Sequence, residues 1–171
     1  MVWVPLGRPI TRQGTGQNHA LATVANTNFV SVYLSPNLSA GDFDTKLAEL
    51  EDTLRDIPGA LVIGGDFNAR STEWGMLSTN SRGRAVLNMA ARLGQQVAKQ
   101  GSVFTYRRPG SILDVTFTSE RVAGMMCQRR VSEELTGSDH QYILFELMNP
   151  EETRPAARPI GWNVKKLGID S

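Results

Sequence analysis

Short apolar runs rich in β-branched residues alternate with stretches where apolar residues recur every three or four positions. The sharpest run is Leu61-Val62-Ile63, followed by Gly64-Gly65-Asp66-Phe67-Asn68. It reads as a strand buried on both faces. The two glycines let the backbone turn sharply and approach another group closely. Residues 20–24 and 29–34 predict two strands around a turn at Asn26-Thr27-Asn28, with Ser35-Pro36-Asn37 ending the second. Residues 42–57 predict the clearest helix, because Phe43, Leu47, Leu50, Leu54 and Ile57 form one apolar stripe. Ser39 or Asp42 can cap it, and Pro58-Gly59 stops it. A second helix is predicted over 82–93, with Val86, Met89, Ala90 and Leu93 on one side and Gly94 after it. Further strands are predicted over 96–99, 112–118, 128–131 and 142–147, and 105–110 reads as a strand end and tight turn. Residues 1–4 are strand-like, 5–17 read as a loop, and 69–80 as a polar loop. Residues 149–171 carry three prolines and little periodicity, so they read as a tail or linker after a domain spanning 1–148.

Strands outnumber helices, and the helices fall between strands. That order predicts a layered α/β sandwich with mixed sheets. The length of 171 residues suits one domain with a substantial core. Apolar residues at 40% and charged residues at 20% mark a globular chain. A net charge of +1 excludes a highly basic coat for nucleic acid but leaves room for a local basic patch. The single cysteine, Cys127, rules out a disulfide within the chain and a cysteine-based zinc site, which fits a reducing compartment. No run is apolar enough to span a bilayer, and the start lacks a signal-peptide pattern. The expected place is nuclear or cytoplasmic, with no secretion and no membrane partner.

Candidate chemistry gathers at four stretches next to β-type runs: Tyr33 to Asn37, Asp66 to Asn68, Asp114, and Ser138 to His140. A carboxylate and a carboxamide two residues apart at a strand end can face one crevice. The acid can accept a proton from water or hold a cation, and the amide can donate to a phosphate oxygen. Asp and Asn are also ordinary turn formers, so the octet alone leaves both readings open. Asp114 is unusual inside a β run, because burial there must be compensated. His140, one of two histidines, is the simplest donor for it. Such a pairing fixes the tautomer and favours the charged ring. Asp139 and Asp66 could share a magnesium-type site, since hard cations prefer oxygen ligands. His19 and Cys127 carry no functional reading.

Gly65-Asp66-Phe67-Asn68, Ser111-Ile112-Leu113-Asp114 and Ser138-Asp139-His140 occur in the order seen in the endonuclease/exonuclease/phosphatase superfamily. The chain more closely resembles the apurinic-type endonuclease domain of non-LTR retrotransposons of arthropods. Ser31 to Asn37 resembles that group's tyrosine motif. Asn68-Ala69-Arg70-Ser71, Trp74-Gly75 and Thr79-Asn80-Ser81-Arg82-Gly83 resemble its loop after the aspartate. Gly161 to Leu167 looks like the linker that precedes a reverse transcriptase there. The resemblance implies a four-layered α/β sandwich, two mixed β-sheets flanked by helices. It implies that Asp66 orients or deprotonates the attacking water and that Asn68 contacts the scissile phosphate. Tyr33 would donate to phosphate or leaving group, Asp114 would orient His140, and His140 would stabilise charge on the phosphoryl oxygens. Asp139, with Asp66, would hold magnesium, or manganese in its place. Arg107, Arg108, Arg70 and Asn68 would meet DNA, the first two from the turn at Pro109-Gly110. The implied reaction is phosphodiester hydrolysis that leaves a 3′-hydroxyl, which primes reverse transcription of the element's RNA by the polymerase domain of a full-length relative.

The sequence also departs from that pattern. The family's domain opens with a strand bearing a catalytic asparagine and a second ending in the glutamate that is its main metal ligand. No Gln-x-Asn or Gln-Glu-Pro stretch precedes Tyr33. The sandwich is therefore expected to be incomplete at the N-terminus and the chain weakly active or inactive. Ala98-Lys99-Gln100-Gly101 also replaces the apolar residue and Asn that relatives often carry before that glycine. A non-catalytic nucleic-acid-binding remnant and a phosphatase of the same superfold stand as alternatives, since fold alone does not fix substrate.

Overall fold

The computed structural model describes residues 9–98, 103–107, 110–134 and 137–148. In chain order the elements are β1 (Ile10–Thr15), β2 (His19–Val24), β3 (Thr27–Tyr33), α1 (Ala40–Arg55) and β4 (Ala60–Asp66). There follow a 3-10 turn (Thr72–Trp74), α2 (Ser81–Arg92), β5 (Gln95–Val97), β6 (Asp114–Ser119), α3 (Glu120–Ala123), β7 (Met126–Val131) and β8 (Ile143–Leu147). Six strands form one mixed sheet in the order β1-β2-β3-β4-β6-β5. The β3–β4 pair is parallel, with α1 as the crossover, and the other pairs are antiparallel. β7 and β8 form a second, antiparallel sheet. The expected α/β layering is present, although among the described residues the second sheet is an antiparallel pair rather than a mixed sheet.

Strand alternation divides the large sheet into two unlike faces. Val30, Val32 and Leu34, then Leu61 and Ile63, then Val115 and Phe117 point to one side. There they pack with Phe43, Leu47, Leu50 and Leu54 of α1 and Val86, Met89 and Ala90 of α2. The helical stripes read from sequence are thus the stripes that close the core. The other side is more polar. Register sets Ser31 beside Gly64 and Gly64 beside Thr116, and one row on it sets Tyr33 beside Asp66 and Asp66 beside Asp114. β7 approaches this side, where Arg129 Nη2 donates to Thr116 Oγ1 at 3.3 Å.

Gly65 lets β3 and β4 pair this tightly at the end that matters. Its φ is +152°, and a Cβ there would run into the Val32 backbone. Leu34 N–H then donates to Asp66 O at 2.9 Å, carrying the pairing past Tyr33.

Several sequence expectations need correction. Residues 10–15, expected within a loop, form β1. All six are exposed on an edge strand, so no apolar alternation marks them, and the backbone pairing with β2 holds the strand. The first hairpin turns at Ala25 and Asn26, both at positive φ, rather than at residues 26–28. Thr27 and Asn28 already belong to β3, where Asn28 Nδ2 donates to Pro58 O at 2.9 Å and Ala60 O at 3.1 Å. Helix α1 ends before Ile57, as the residue preceding a proline avoids helical geometry. β6 starts at Asp114 and α3 was not expected. The strand expected over 1–4, the tail over 149–171, and Arg108 with Pro109 lie outside the described residues. No helix among the described residues is long and apolar enough to cross a membrane.

One ion cluster clamps α1 to α2. Glu51 is 5% exposed. It accepts from Arg92 Nε at 2.8 Å, Arg92 Nη2 at 2.6 Å and Arg55 Nη2 at 2.9 Å. The Arg92 hydrogen bonds, and its charge with that of Arg55, hold the Glu51 carboxyl below the ordinary glutamate range despite burial. A depressed carboxyl contributes stability above its unfolded-state value and loses it as pH falls through the folded value. Glu51→Gln is therefore expected to lower stability near neutral pH by roughly 1 kcal/mol, discounted because both arginines reach solvent. In urea titrations the gap from the wild type should close as pH falls through the carboxylate range.

Candidate active site

Three neighbouring strands deliver their polar residues to one end of the sheet. Tyr33 closes β3, Asp66 closes β4, and Asp114 opens β6 in register with Asp66. Strand polarity makes this convergence possible. Parallel β3 and β4 end together, and antiparallel β6 begins where they end.

Asp66 is 9% exposed. Its Oδ1 accepts from Asn68 N at 2.9 Å, and its Oδ2 accepts from Asn68 Nδ2 at 2.9 Å. Asn68 sits at φ +45°, a left-handed conformation that asparagine tolerates better than most residues. That turn folds the carboxamide back, so that Nδ2 also donates to Leu34 O at 3.0 Å. The pair predicted from spacing is thus one bonded unit that also bridges to the loop after β3. Burial pushes the Asp66 carboxyl above the ordinary aspartate range. The Asn68 backbone bond opposes that push, the Asp114 charge adds to it, and His140 and the Asn68 side chain oppose it.

His140 Nδ1 lies 2.8 Å from Asp114 Oδ2, which assigns the Nδ1 proton to that bond. The other ring nitrogen, Nε2, lies 3.9 Å from Asp66 Oδ2. That gap is too long for a direct hydrogen bond, yet one oxygen atom can contact both groups. The imidazole is 36% exposed, so a substrate can reach it.

Residues that sequence reading passed over hold this pair together. Thr105 is fully buried, and its Oγ1 accepts from Leu113 N at 3.1 Å and Asp114 N at 3.0 Å. Gln141 N donates to Thr105 O at 2.8 Å, and Arg107 N donates to Asp139 O at 2.9 Å. The Tyr106 ring packs on the His140 ring with centroids 4.9 Å apart. Residues 105–107 therefore join the strand bearing Asp114 to the turn bearing His140. The β-branched and aromatic pair Thr105-Tyr106 was legible only as a strand end.

The remaining candidates sit on the rim. Tyr33 is 57% exposed. Asp139 is exposed, and its backbone is tied to Arg107. Arg107 is exposed, and with the Gln141 carboxamide turned to face it, the guanidinium donates to that oxygen. Arg70 is exposed two residues past Asn68, and its backbone pairs with Asn80. Arg108 lies outside the described residues.

Residues 27–144 match the family described as endonuclease-reverse transcriptase, well over half of the chain. The chain belongs to that family. Among solved structures it is similar to the endonuclease domain of TRAS1, a telomere-specific non-LTR retrotransposon. That match has 27% identity and a TM-score of 0.70, covering 83% of this chain and 68% of that one. A 3′-5′ exonuclease from Neisseria meningitidis matches at 21% identity and TM-score 0.63, over 84% of this chain and 70% of that one. An AP endonuclease from Archaeoglobus fulgidus matches at 13% identity and TM-score 0.61, over 76% of this chain and 65% of that one. The last two show the fold alone. No curated protein matches the chain.

Among the described residues, no three His, Cys, Asp or Glu side chains gather closely enough to hold a metal ion by themselves. Magnesium does not need such a cage. It is held by one or two carboxylates together with water and substrate phosphate. Asp66, with each oxygen already oriented by one donor, would take that role, and Asp139, exposed and next to His140 in sequence, is the second carboxylate expected there.

The raised Asp66 carboxyl makes a direct prediction. Carbon-detected NMR titration should place it above an ordinary aspartate, and Asn68→Ala should move it further up by removing the side-chain donor. An acid raised in the folded state contributes stability below its unfolded value and loses it as pH rises through the folded value.

Proposed function

We propose that this site hydrolyses a phosphodiester of DNA with magnesium, or manganese, as the ion. The nick would prime reverse transcription of a retroelement's RNA. The observation that carries the reading is the Asp114–His140–Asp66 arrangement at one strand edge, in a chain of the endonuclease-reverse transcriptase family. Its similarity to the endonuclease domain of a telomere-specific non-LTR retrotransposon supports the retroelement setting.

In this reading Asp114 accepts a hydrogen bond from His140 Nδ1–H and keeps the ring in one tautomer and orientation. Protonated His140 then presents Nε2–H to a phosphoryl oxygen, where negative charge grows in the transition state. Asp66 orients the attacking water and takes its proton. The water oxygen bonds to phosphorus, the bond to the 3′ oxygen breaks, and that oxygen takes a proton from Tyr33 or solvent and leaves as a hydroxyl. Tyr33, exposed at the strand end beside Asp66, donates to the phosphate or the leaving oxygen. Asn68 contacts the phosphate by releasing one of the two amide hydrogens that otherwise serve Asp66 Oδ2 and Leu34 O. Asp66 and Asp139 hold the ion, which supplies Lewis-acid polarisation when bound.

Arg107 and Arg70 pair with flanking phosphates, which position DNA without reading its sequence. The polymerase domain and element RNA are partners of a full-length relative, and the expected place of action is the nucleus or cytoplasm. Asp66 and Asp139 would leave most of the ion's octahedral shell to water and substrate phosphate, and slow nicking is expected from these residues alone. A non-catalytic DNA-binding remnant is the second reading, favoured by that same small set of donors.

Supercoiled plasmid incubated with the protein and magnesium separates the two. The first reading requires slow nicking that falls about 10²-fold on Asp66→Ala or His140→Ala. Binding without any nicking, at all magnesium and manganese concentrations tried, would leave the second. Independently, Arg107→Ala combined with Arg70→Ala should weaken DNA binding and flatten its salt dependence by up to two phosphate contacts. An unchanged salt slope would remove both arginines from the interface.

A further inference from the structure

Arg82 lies outside the acidic cluster, yet its guanidinium reaches the loop that carries Tyr33 into α1. It donates to Ser35 O at 3.3 Å, Pro36 O at 3.2 Å and Leu38 O at 2.6 Å. Its guanidinium carbon also lies over the Phe43 ring, 4.7 Å from the centroid. Inside the loop, Asn37 N donates to Ser35 Oγ at 3.2 Å and Leu38 N to Ser35 O at 3.4 Å, but neither bond ties residues 36–38 to another element. Pro36 and Asn37 are exposed, and proline offers no N–H for a backbone ladder. The carbonyls of an irregular loop need donors, and one rigid fork supplies three of them.

The helix bearing Arg82 is fixed on its other side to the second functional loop. Asn80 caps α2 by accepting from Gly83 N at 2.8 Å. The same oxygen accepts from Arg70 N at 3.1 Å, and Asn80 N donates to Arg70 O at 3.1 Å. Gly83 permits this contact, since a Cβ there would run into Arg70 O. One helical turn thus grips the loop two residues after Asn68 and the loop two residues after Tyr33. Between them, Asn68 Nδ2 donates to Leu34 O, and Leu34 N donates to Asp66 O.

We propose that Arg82 is a positioning residue for the cleavage reaction, holding the Tyr33 loop in register with Asp66 and Asn68. The proposal rests on the reading of the site as a phosphodiesterase. Catalytic rates are sensitive to such placement, since misplacement of about 1 Å far from the chemistry can cost 10²-fold. Lysine keeps the charge but presents a point donor on a flexible stem, so it cannot restore the three-carbonyl grip.

The test uses the whole 171-residue chain. Nicking kcat and KM are measured for the wild type, Arg82→Lys and Arg82→Ala, each with and without Tyr33→Phe. Hydrogen exchange is followed at the amides of Leu34 and Leu38 and at the core of α2. The expected result is a kcat at least about 10-fold lower in Arg82→Ala, a KM within about 2-fold, and only partial recovery in Arg82→Lys. Tyr33→Phe should cost much less in the Arg82→Ala background than in the wild type, because the two act through one loop. Exchange at Leu34 and Leu38 should speed up while the α2 core stays protected. A lower melting temperature with unchanged kcat, or independent effects of the two substitutions, would overturn the proposal. A wild type that does not nick defeats the proposed reaction instead. Exchange then decides whether Arg82 holds the loop: faster exchange at Leu34 and Leu38 supports the hold, and unchanged exchange overturns it.

Discussion

The structure turns on a carboxylate buried at the end of the central strand. Asp66 is nine-tenths hidden, and a charge there is tolerated only when its lone pairs are met. Asn68 meets both oxygens from a left-handed turn, and the same carboxamide reaches across to Leu34. The requirement propagates outward. The turn needs Gly65 so that β3 and β4 can close on each other, and closure puts Tyr33 beside Asp66. Antiparallel entry of β6 then places a second acid next to the first, and that acid needs a cation or donor of its own. His140 supplies it.

Such a cluster opposes folding locally, since burial and the neighbouring Asp114 charge both disfavour an ionised Asp66. The opposite face of the same sheet offsets that cost. Fully buried Ile63, Phe117, Val86 and Met89 form a continuous apolar layer against the helices. Glu51 fastens the two helices to each other at the surface of that layer. One sheet therefore carries the core on one side and the candidate site on the other, and period-two alternation is what keeps them apart.

How much of this was legible in sequence follows from the same division. The apolar layer announced itself: α1, α2 and the central strand were readable because burial imposes periodicity. Asp66, Asn68, Asp114 and His140 stood out because polar groups at such places need partners, and the structure brings Asp114 to His140 and Asn68 to Asp66. What stayed hidden lacks a burial pattern. β1 is an exposed edge whose only reason to be a strand is the backbone of β2. α3 is a single turn of four residues, too short for any periodicity. Thr105 works through one buried oxygen that accepts two backbone donors, a contact between segments whose meeting no local pattern records. The arginine grip on residues 35–38 is of the same kind, since its partners are carbonyls that every residue has.

The shared fold therefore says less about substrate than the loops do. A sheet of this kind recurs in an exonuclease and an AP endonuclease at identities too low to carry specificity. What the shared sheet does not fix is how the segments after β3, after β4 and before β6 are held at its end. Here the first two are gripped from one helical turn by Arg82 and Asn80, and the third is clasped to the His140 turn by Thr105 and Tyr106. The two grips meet at Asp66, which bonds to Asn68 on one side and faces His140 on the other, and at Phe67 N, which donates to Leu113 O at 3.3 Å. The 3.9 Å gap between Asp66 Oδ2 and His140 Nε2 is therefore where the two loop sets face each other.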